Sequence, residues 1–287
     1  MTVVEPVRRR GRRDGQLSAG KGTYALLGAV VLISLFPLYW TFVAASRTNS
    51  DIDRVPPSLI PGGNLFANLG KAFHETEMRL ALINSFLVAS TITISVVLTS
   101  TLAGFAFAKL RFRGRNLLLA GLVATMMVPT QLGIIPLYIM MSQWLHWNDH
   151  IQALIVPAAA SAFGVFFIRQ YLVTALPTEL LEAARVDGCS TLRIYWNIVL
   201  PVARPAAAVL GMLTFMTAWN DFYWPRVVLT PQNPTVQVAL STLAGGYLVD
   251  YSVLLAGALI ATLPMLVVFV VMGRQILDGI MQGAIKA

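Results

Sequence analysis

Few residues of this chain could do chemistry. Only 12% of its 287 residues are charged and three are histidine, so the candidate groupings are few. His146 and His150 stand four apart, a spacing that puts two imidazoles on one helix face for a metal ion. No third ligand is evident nearby, and with Trp144 and Trp147 beside them the pair suits a membrane-interface belt, so no metal is expected. Cys189 is the only cysteine, which excludes an intrachain disulfide or a cysteine metal site and leaves a small packing residue beside Gly188. The third grouping is Trp219-Asn220-Asp221-Phe222-Tyr223-Trp224-Pro225. Sugars bind through such chemistry: the rings of Trp219, Tyr223 and Trp224 would pack on pyranose C–H faces while Asn220 and Asp221 bond hydroxyls. An aromatic belt at a membrane surface would use the same residue types, and the sequence leaves both readings open.

Other chemistry is missing. No Gly-x-x-x-x-Gly-Lys-Ser/Thr run occurs, so the chain has no phosphate loop with which to bind ATP. No nucleophile, base and metal-ligand constellation supports an enzyme. No ionisable residue lies near the middle of any expected apolar span, although ion-coupled transporters need such groups to carry the coupling charge. Whatever drives this protein is expected to come from a separate subunit.

One polar island, Glu182 to Pro201, interrupts the apolar runs. Thr178 is expected as N-cap and Glu179 as a first-turn carboxylate that favours the positive end of the helix dipole. Gly188 should end this helix in the left-handed conformation, and Ser190 should cap a second one. Leu180, Ala183, Ala184 and Asp187 fall at i, i+3, i+4 and i+7 and form one stripe, the pattern of a docking face. An ordinary surface loop with two short helices would look the same.

Composition fixes the class. With 56% hydrophobic residues and a mean hydropathy of +0.69, the chain is a polytopic membrane protein. Apolar runs predict spans at about 24–45, 81–108, 117–141, 151–172, 203–224 and 252–272, the third broken or kinked at Pro129 and Pro136. The expected organisation is a basic cytoplasmic tail (1–21), a first transmembrane helix (22–46), an extracytoplasmic segment (47–80) and a five-helix core (81–287) with a cytoplasmic loop at 177–201 and a tail at 274–287. Charge supports this map. Six cations lie in the first 21 residues, four at Lys109, Arg111, Arg113 and Arg115, four at Arg169, Arg185, Arg193 and Arg204, and two in the tail, against five on the segments assigned outside. That is the positive-inside pattern, and it accounts for the net charge of +8 without nucleic acid.

The island matches without a gap the Glu-Ala-Ala, three residues, Gly, nine residues, Ile-x-Leu-Pro motif, on Glu182, Ala183, Ala184, Gly188, Ile198, Leu200 and Pro201. In this the chain resembles the permeases of binding-protein-dependent ATP-binding-cassette importers. Met126-Met127-Val128-Pro129, Ile135-Pro136-Leu137-Tyr138, Phe167-Ile168-Arg169-Gln170-Tyr171, Trp219-Asn220-Asp221-Phe222 and the Gly279 to Lys286 tail look like carbohydrate permeases of the maltose type, the likeness covering about 24–287. The resemblance implies an all-α protein of six transmembrane helices with the type I importer fold, both termini cytoplasmic, in a bacterial or archaeal cytoplasmic membrane. It implies the shorter of two unlike membrane subunits, paired with a sister permease, an ATPase dimer holding ATP and Mg, and an extracytoplasmic sugar-binding lipoprotein or periplasmic protein. On that reading the chain binds no cofactor itself, and Glu182, Ala183, Ala184, Asp187, Gly188, Ile198, Leu200 and Pro201 couple to the ATPase. Gln282, Gly283 and Lys286 would contact it through the tail. Trp219, Asn220, Asp221, Tyr223 and Trp224 would line the sugar path, and Gly245, Gly246 and Tyr247 would meet the binding protein. The implied function is import of a di- or oligosaccharide by alternating access, such as a glucose-containing disaccharide like cellobiose. Glycerol phosphate or polyamine import, and ion-coupled secondary transport, are the alternatives.

Overall fold

The computed structural model describes residues 20–245 and 248–284, with backbone alone at 272 and 274–284. The described residues are helical, with no strand among them. Helix α1, Lys21–Ala45, is apolar all round and exposed along most of its length, as a helix facing lipid should be. Only its last turn, Val43, Ala44 and Ala45, is buried, and that end is clamped. The Asn68 amide donates to the carbonyls of Ala45 (2.9 Å) and Arg47 (2.7 Å), and the Ser46 hydroxyl accepts from the Gly62 amide at 2.7 Å. A Cβ on Gly62 would stand 2.5 Å from the Ser46 carbonyl oxygen, so this approach requires glycine.

The connecting segment folds into α2 (Asn49–Ile52) and α3 (Leu65–Glu75). At α2 the Thr48 hydroxyl donates to Asp51 at 2.8 Å and, with Arg54 beside it, holds that carboxyl below the usual carboxylate range. Helix α4, Met78–Lys109, is central to the packing; its 32 residues reach about 48 Å and lie most extensively against the helices at 162–175 and 191–219. The next expected span is broken, as Pro129 predicts: α5, Arg115–Thr125, and α6, Thr130–Trp144, meet at 89°.

Three expectations need correction. The fourth span is not one helix over 151–172 but α7, Gln152–Ile155, followed by a break and then α8, Ala162–Ala175. Pro157 supplies no amide, and Ser161 starts a new helix by accepting from the Gly164 amide at 3.1 Å. The open backbone is satisfied from α4, where Ser95 and Thr99 donate to the Ala159 carbonyl at 2.8 and 3.4 Å. The fifth span begins at Thr191 rather than near 203 and ends at Trp219, giving the 29-residue α10 after the short α9, Thr178–Val186. Arg204 therefore lies within a long apolar helix, exposed, and the expected absence of charge near span middles does not extend to α10. Third, 227–250 is more than a connection, because after α11 (Tyr223–Val228) it forms α12, Val236–Leu243, whose Val236, Val238 and Ala239 are buried. Helix α13, Tyr251–Ala284, continues through most of the expected tail. By length and composition, four single helices among the described residues can cross a membrane, or five spans if the bent α5–α6 pair is one; α8 is apolar but only 14 residues long.

Helices α4 and α8 approach closely through small residues. Gly104 of α4 faces Ile168 and Arg169, with a Cβ there 2.8 Å from Ile168 Cγ2, while Gly164 of α8 faces Ser100. This reciprocal four-residue spacing lets two backbones pack tightly where lipid supplies little hydrophobic drive. The larger apolar core runs from this contact down to Leu181, Ala184, Ile194, Tyr195 and Val199. A smaller one joins Met78, Ala81, Ala89, Phe215, Trp219, Val236, Ala239 and Ala261.

Candidate functional site

The polar island folds as helix, turn, helix, and most of its local logic is visible in its bonds. Pro177, extended at φ −62° and ψ 142°, is the N-cap residue, so Thr178 begins the helix and does not cap it. Glu179 lies in the first turn. At the other end Gly188 has φ +77°, the Cys189 amide donates to the Ala184 carbonyl (2.9 Å), and the Gly188 amide donates to the Arg185 carbonyl (3.0 Å). These nested bonds form a Schellman closure that satisfies the carbonyls of Ala184 and Arg185 at the end of α9. Ser190 then caps α10, its hydroxyl accepting from the Arg193 amide at 3.3 Å. Cys189 is half-buried against the core.

The expected stripe is divided by this packing. Leu181 and Ala184 turn into the larger core, whereas Leu180, Glu182, Ala183 and Asp187 face outward. Val186, Leu192 and Trp196 are exposed as well, Val186 at 88%. Glu182 makes no ion pair among the described residues. One side of the island is therefore fastened to the protein and the other is an open mixed surface of apolar groups, the carboxylates of Glu182 and Asp187, and the Arg185 guanidinium. Further on, Ile198 and Leu200 pack half-buried on the core and Pro201 is exposed.

Between them α10 widens into a π-turn at Tyr195–Val199, with the Leu200 amide bonded to the Tyr195 carbonyl five residues back. Pro201 has no amide to donate and its ring crowds the carbonyl four residues earlier, and the wider turn accommodates both. Tyr195 is 1% exposed, and its hydroxyl bonds that of Thr101 on α4 at 2.7 Å in the core. Sequence reading missed this link. Its one signal is a tyrosine within a motif of otherwise apolar or small buried positions, since a buried phenol needs a partner.

The aromatic cluster does not converge on one opening. Trp219 is buried, stacks on Phe215 and donates its indole N–H to the Ala261 carbonyl of α13 at 3.1 Å. Trp224 donates the other way, to the Ala153 carbonyl of α7 at 2.8 Å. The Asn220 amide caps its own helix at Met216 (2.9 Å), Asp221 is half-buried, and Tyr223 is 71% exposed. Gly245 ends α12, its amide on the Thr242 carbonyl at 3.1 Å. Gln282 and Gly283 lie on the backbone of α13, while Gly246, Tyr247 and Lys286 fall outside the described residues.

A second polar group was not foreseen. Asp149 accepts from the amide (2.9 Å) and hydroxyl (3.0 Å) of Thr230, and its carbonyl accepts from Asn233 (2.7 Å). Asn233 in turn accepts from the amide of Asn84 (2.8 Å), which also donates to the Pro234 carbonyl (3.0 Å), and Ser85 accepts from the Val236 amide (2.8 Å). This brace ties the Met78 end of α4 to the turns at 145–150 and 229–235. His146 lies in the first of them with φ +53°, so it and His150 do not share a helix face; the His150 ring bonds the Asn148 carbonyl instead.

Comparison with known proteins places the whole arrangement. A lactose transport system permease protein, LacG, of Rhizobium radiobacter is 36% identical over 264 residues, 92% of this chain and 95% of its own. An sn-glycerol-3-phosphate transport system permease protein, UgpE, of Yersinia pestis is 35% identical over 261 residues, 87% of this chain and 92% of its own. In the crystal structure of a bacterial ABC transporter involved in import of the acidic polysaccharide alginate, one chain has the same fold. Its TM-score is 0.75 at 23% identity, covering 88% of this chain and 94% of that one. Residues 97–276, which hold the island, the π-turn and the aromatic cluster, match the binding-protein-dependent transport system inner membrane component, and the chain belongs to that family.

Proposed function

We propose that the chain is one of two unlike membrane subunits of an ATP-driven importer for a di- or oligosaccharide, and that α9 is the segment it lends to the ATPase. One observation carries the proposal: an ungapped coupling motif lies on a helix closed by its own hydrogen bonds, with Leu181 and Ala184 locked into the core and Glu182, Ala183 and Val186 left open. A partner that moves this surface moves α8 and α10 with it, since both ends of the island run directly into them, and through them α4. The spans would then alternate between outward and inward access as rigid bodies, ATP and Mg being held by the ATPase. The partners are a sister permease, two ATPase copies and an extracytoplasmic binding protein, with both termini and the island on the cytoplasmic side.

The substrate class is supported by relatives named for lactose and for sn-glycerol 3-phosphate. Both are small polyhydroxylated solutes, and glycerol phosphate is the second reading. With Trp219 and Trp224 committed to backbone carbonyls, Asp221 and the exposed Tyr223 are the members of the cluster best placed to meet a hydroxylated solute.

The test is Glu182→Lys. Removing one member of a desolvated interfacial pair costs about 2–5 kcal/mol, against about 0–1 kcal/mol for an exposed one. Recovery of the ATPase with wild-type and variant permease, at matched expression and several salt concentrations, separates the two. Loss of the ATPase is expected with insertion unchanged; undiminished recovery would make Glu182 a bystander. Ligand binding by the cognate binding protein decides between sugar and glycerol phosphate.

A further inference from the structure

The densest positive charge among the described residues is the turn between α4 and α5, where Lys109, Arg111, Arg113 and Arg115 fall within seven residues. No acidic side chain among the described residues pairs with them. The single ion pair among the described residues is Arg54 with Asp51, and α5 has neither an acidic residue in its first turn nor a side-chain cap. The internal bonds of the four are few: Lys109 reaches the Val173 carbonyl at 3.4 Å and Arg115 the Leu110 carbonyl at 3.3 Å. One such bond leaves most of the five guanidinium donors of Arg115 unused. Gly114, at φ +80°, turns the chain here, and the turn borders an open, shallow cavity of about 450 Å³ lined by Arg111, Phe112, Gly114, Arg115, Asn116 and Leu117.

The cavity has two chemistries. One side is cationic, and the other is the start of an apolar helix with no buried residue, where Leu117 is 78% exposed and Leu118 57%. Phe112 adds a partly exposed ring. A polar anion such as free phosphate would use the first side and waste the second. An amphiphile would use both.

We propose that this cavity holds the phosphate of an anionic membrane lipid, with Arg111 and Arg115 as the phosphate ligands, Asn116 at its edge, and an acyl chain lying along Leu117 and Leu118 of α5. Guanidinium forks suit phosphate oxygens in pairs, and cation clusters at the end of a spanning helix attract anionic headgroups. The inference stands on the turn itself and does not depend on what α9 contacts.

The experiment uses the full chain purified in detergent with the subunits that accompany it, exchanged into bilayer discs of phosphatidylglycerol mixed with phosphatidylcholine. Lipid retained after mild delipidation is read by native mass spectrometry. Selective retention of phosphatidylglycerol is expected. The double variant Arg111→Gln, Arg115→Gln should lose it by roughly 25-fold, the usual worth of two surface cations. Leu117→Asp should reduce retention with the arginines intact, and Arg226→Gln should leave it unchanged. The wild-type preference alone is a test if the double variant does not assemble: equal retention of the two lipids overturns the proposal. Displacement of the lipid by millimolar inorganic phosphate, with Leu117→Asp silent, would show a free-phosphate site and overturn the lipid assignment. Loss of the ATPase from the double variant, with lipid retention unchanged, would assign the cluster to a protein contact and overturn it as well.

Discussion

Replacing Gly188 isolates one physical cause at the motif. Its φ of +77° is a conformation L side chains rarely adopt, yet a Cβ built there meets nothing within 4 Å. A substitution is therefore strained by its backbone and not by a clash, at about 1–2 kcal/mol. That is enough to shift the closed turn by roughly 5–30-fold, releasing the bonds from Cys189 to Ala184 and from Gly188 to Arg185. Three variants separate backbone from size: Asn, which tolerates the left-handed region, should be nearest wild type, then Ala, then Val. The assay is binding-protein-stimulated ATP hydrolysis and solute uptake by the reconstituted transporter, both of which should fall in that order while membrane insertion is retained. Because Asn is larger than Ala, a ranking by volume would refute the backbone argument. A Val variant with normal stimulated hydrolysis would refute the coupling role of the turn.

Further outcomes follow from other contacts. Tyr195→Phe should cost about 1 kcal/mol and Thr101→Val more, about 1–3 kcal/mol, because the second strands a buried phenol; thermal unfolding of the purified complex ranks them, and the double variant should be milder than Thr101→Val alone. Gly164→Ala should destabilise by about 1–3 kcal/mol through its contact with Ser100, and Ser100→Gly should restore part of the loss in a double-mutant cycle; additive effects would mean α4 and α8 do not meet there. In a Cys189→Ser background, cysteine at Gly63, where a Cβ has open space, should react with an impermeant thiol reagent from outside, and cysteine at the exposed Val186 only from inside. The reverse labelling would overturn the orientation.

The long spans were legible because an uncharged apolar run of span length has few other uses, and the close of α9 and the cap of α10 were legible because Gly188 and Ser190 act on their own neighbours. The rest depended on distant partners. The break at 156–161 is stable because Ser95 and Thr99, some sixty residues away, satisfy its backbone. That α10 runs on from its Ser190 cap into the span was hidden by Arg193, Asn197 and Arg204, which made the first half of a long helix read as a separate short one. Leu181, not Leu180, turned out to share the buried face with Ala184, and a one-residue offset is about 100° on a helix, beyond what so short a segment can specify. Residue type could not say whether Trp219 faces a solute or its own core. Its partner Ala261 is 42 residues on, and that bond settles its direction.

The π-turn at Tyr195–Val199 takes one extra residue into α10 without breaking the rod, since Leu200 bonds back five residues where a regular helix bonds four. Excising a single residue within it would restore the ordinary ladder and leave the two flanking stretches near their present phase, but the same excision past Pro201 would swing everything ahead of the cut about 100° around the axis. Tyr195 would leave Thr101, and the face of α9 now open would rotate towards the core. A one-residue gap is absorbed inside this interval and is a change of handle outside it: chimeras that join the island of one permease to the spans of another must be spliced with the bulge counted in.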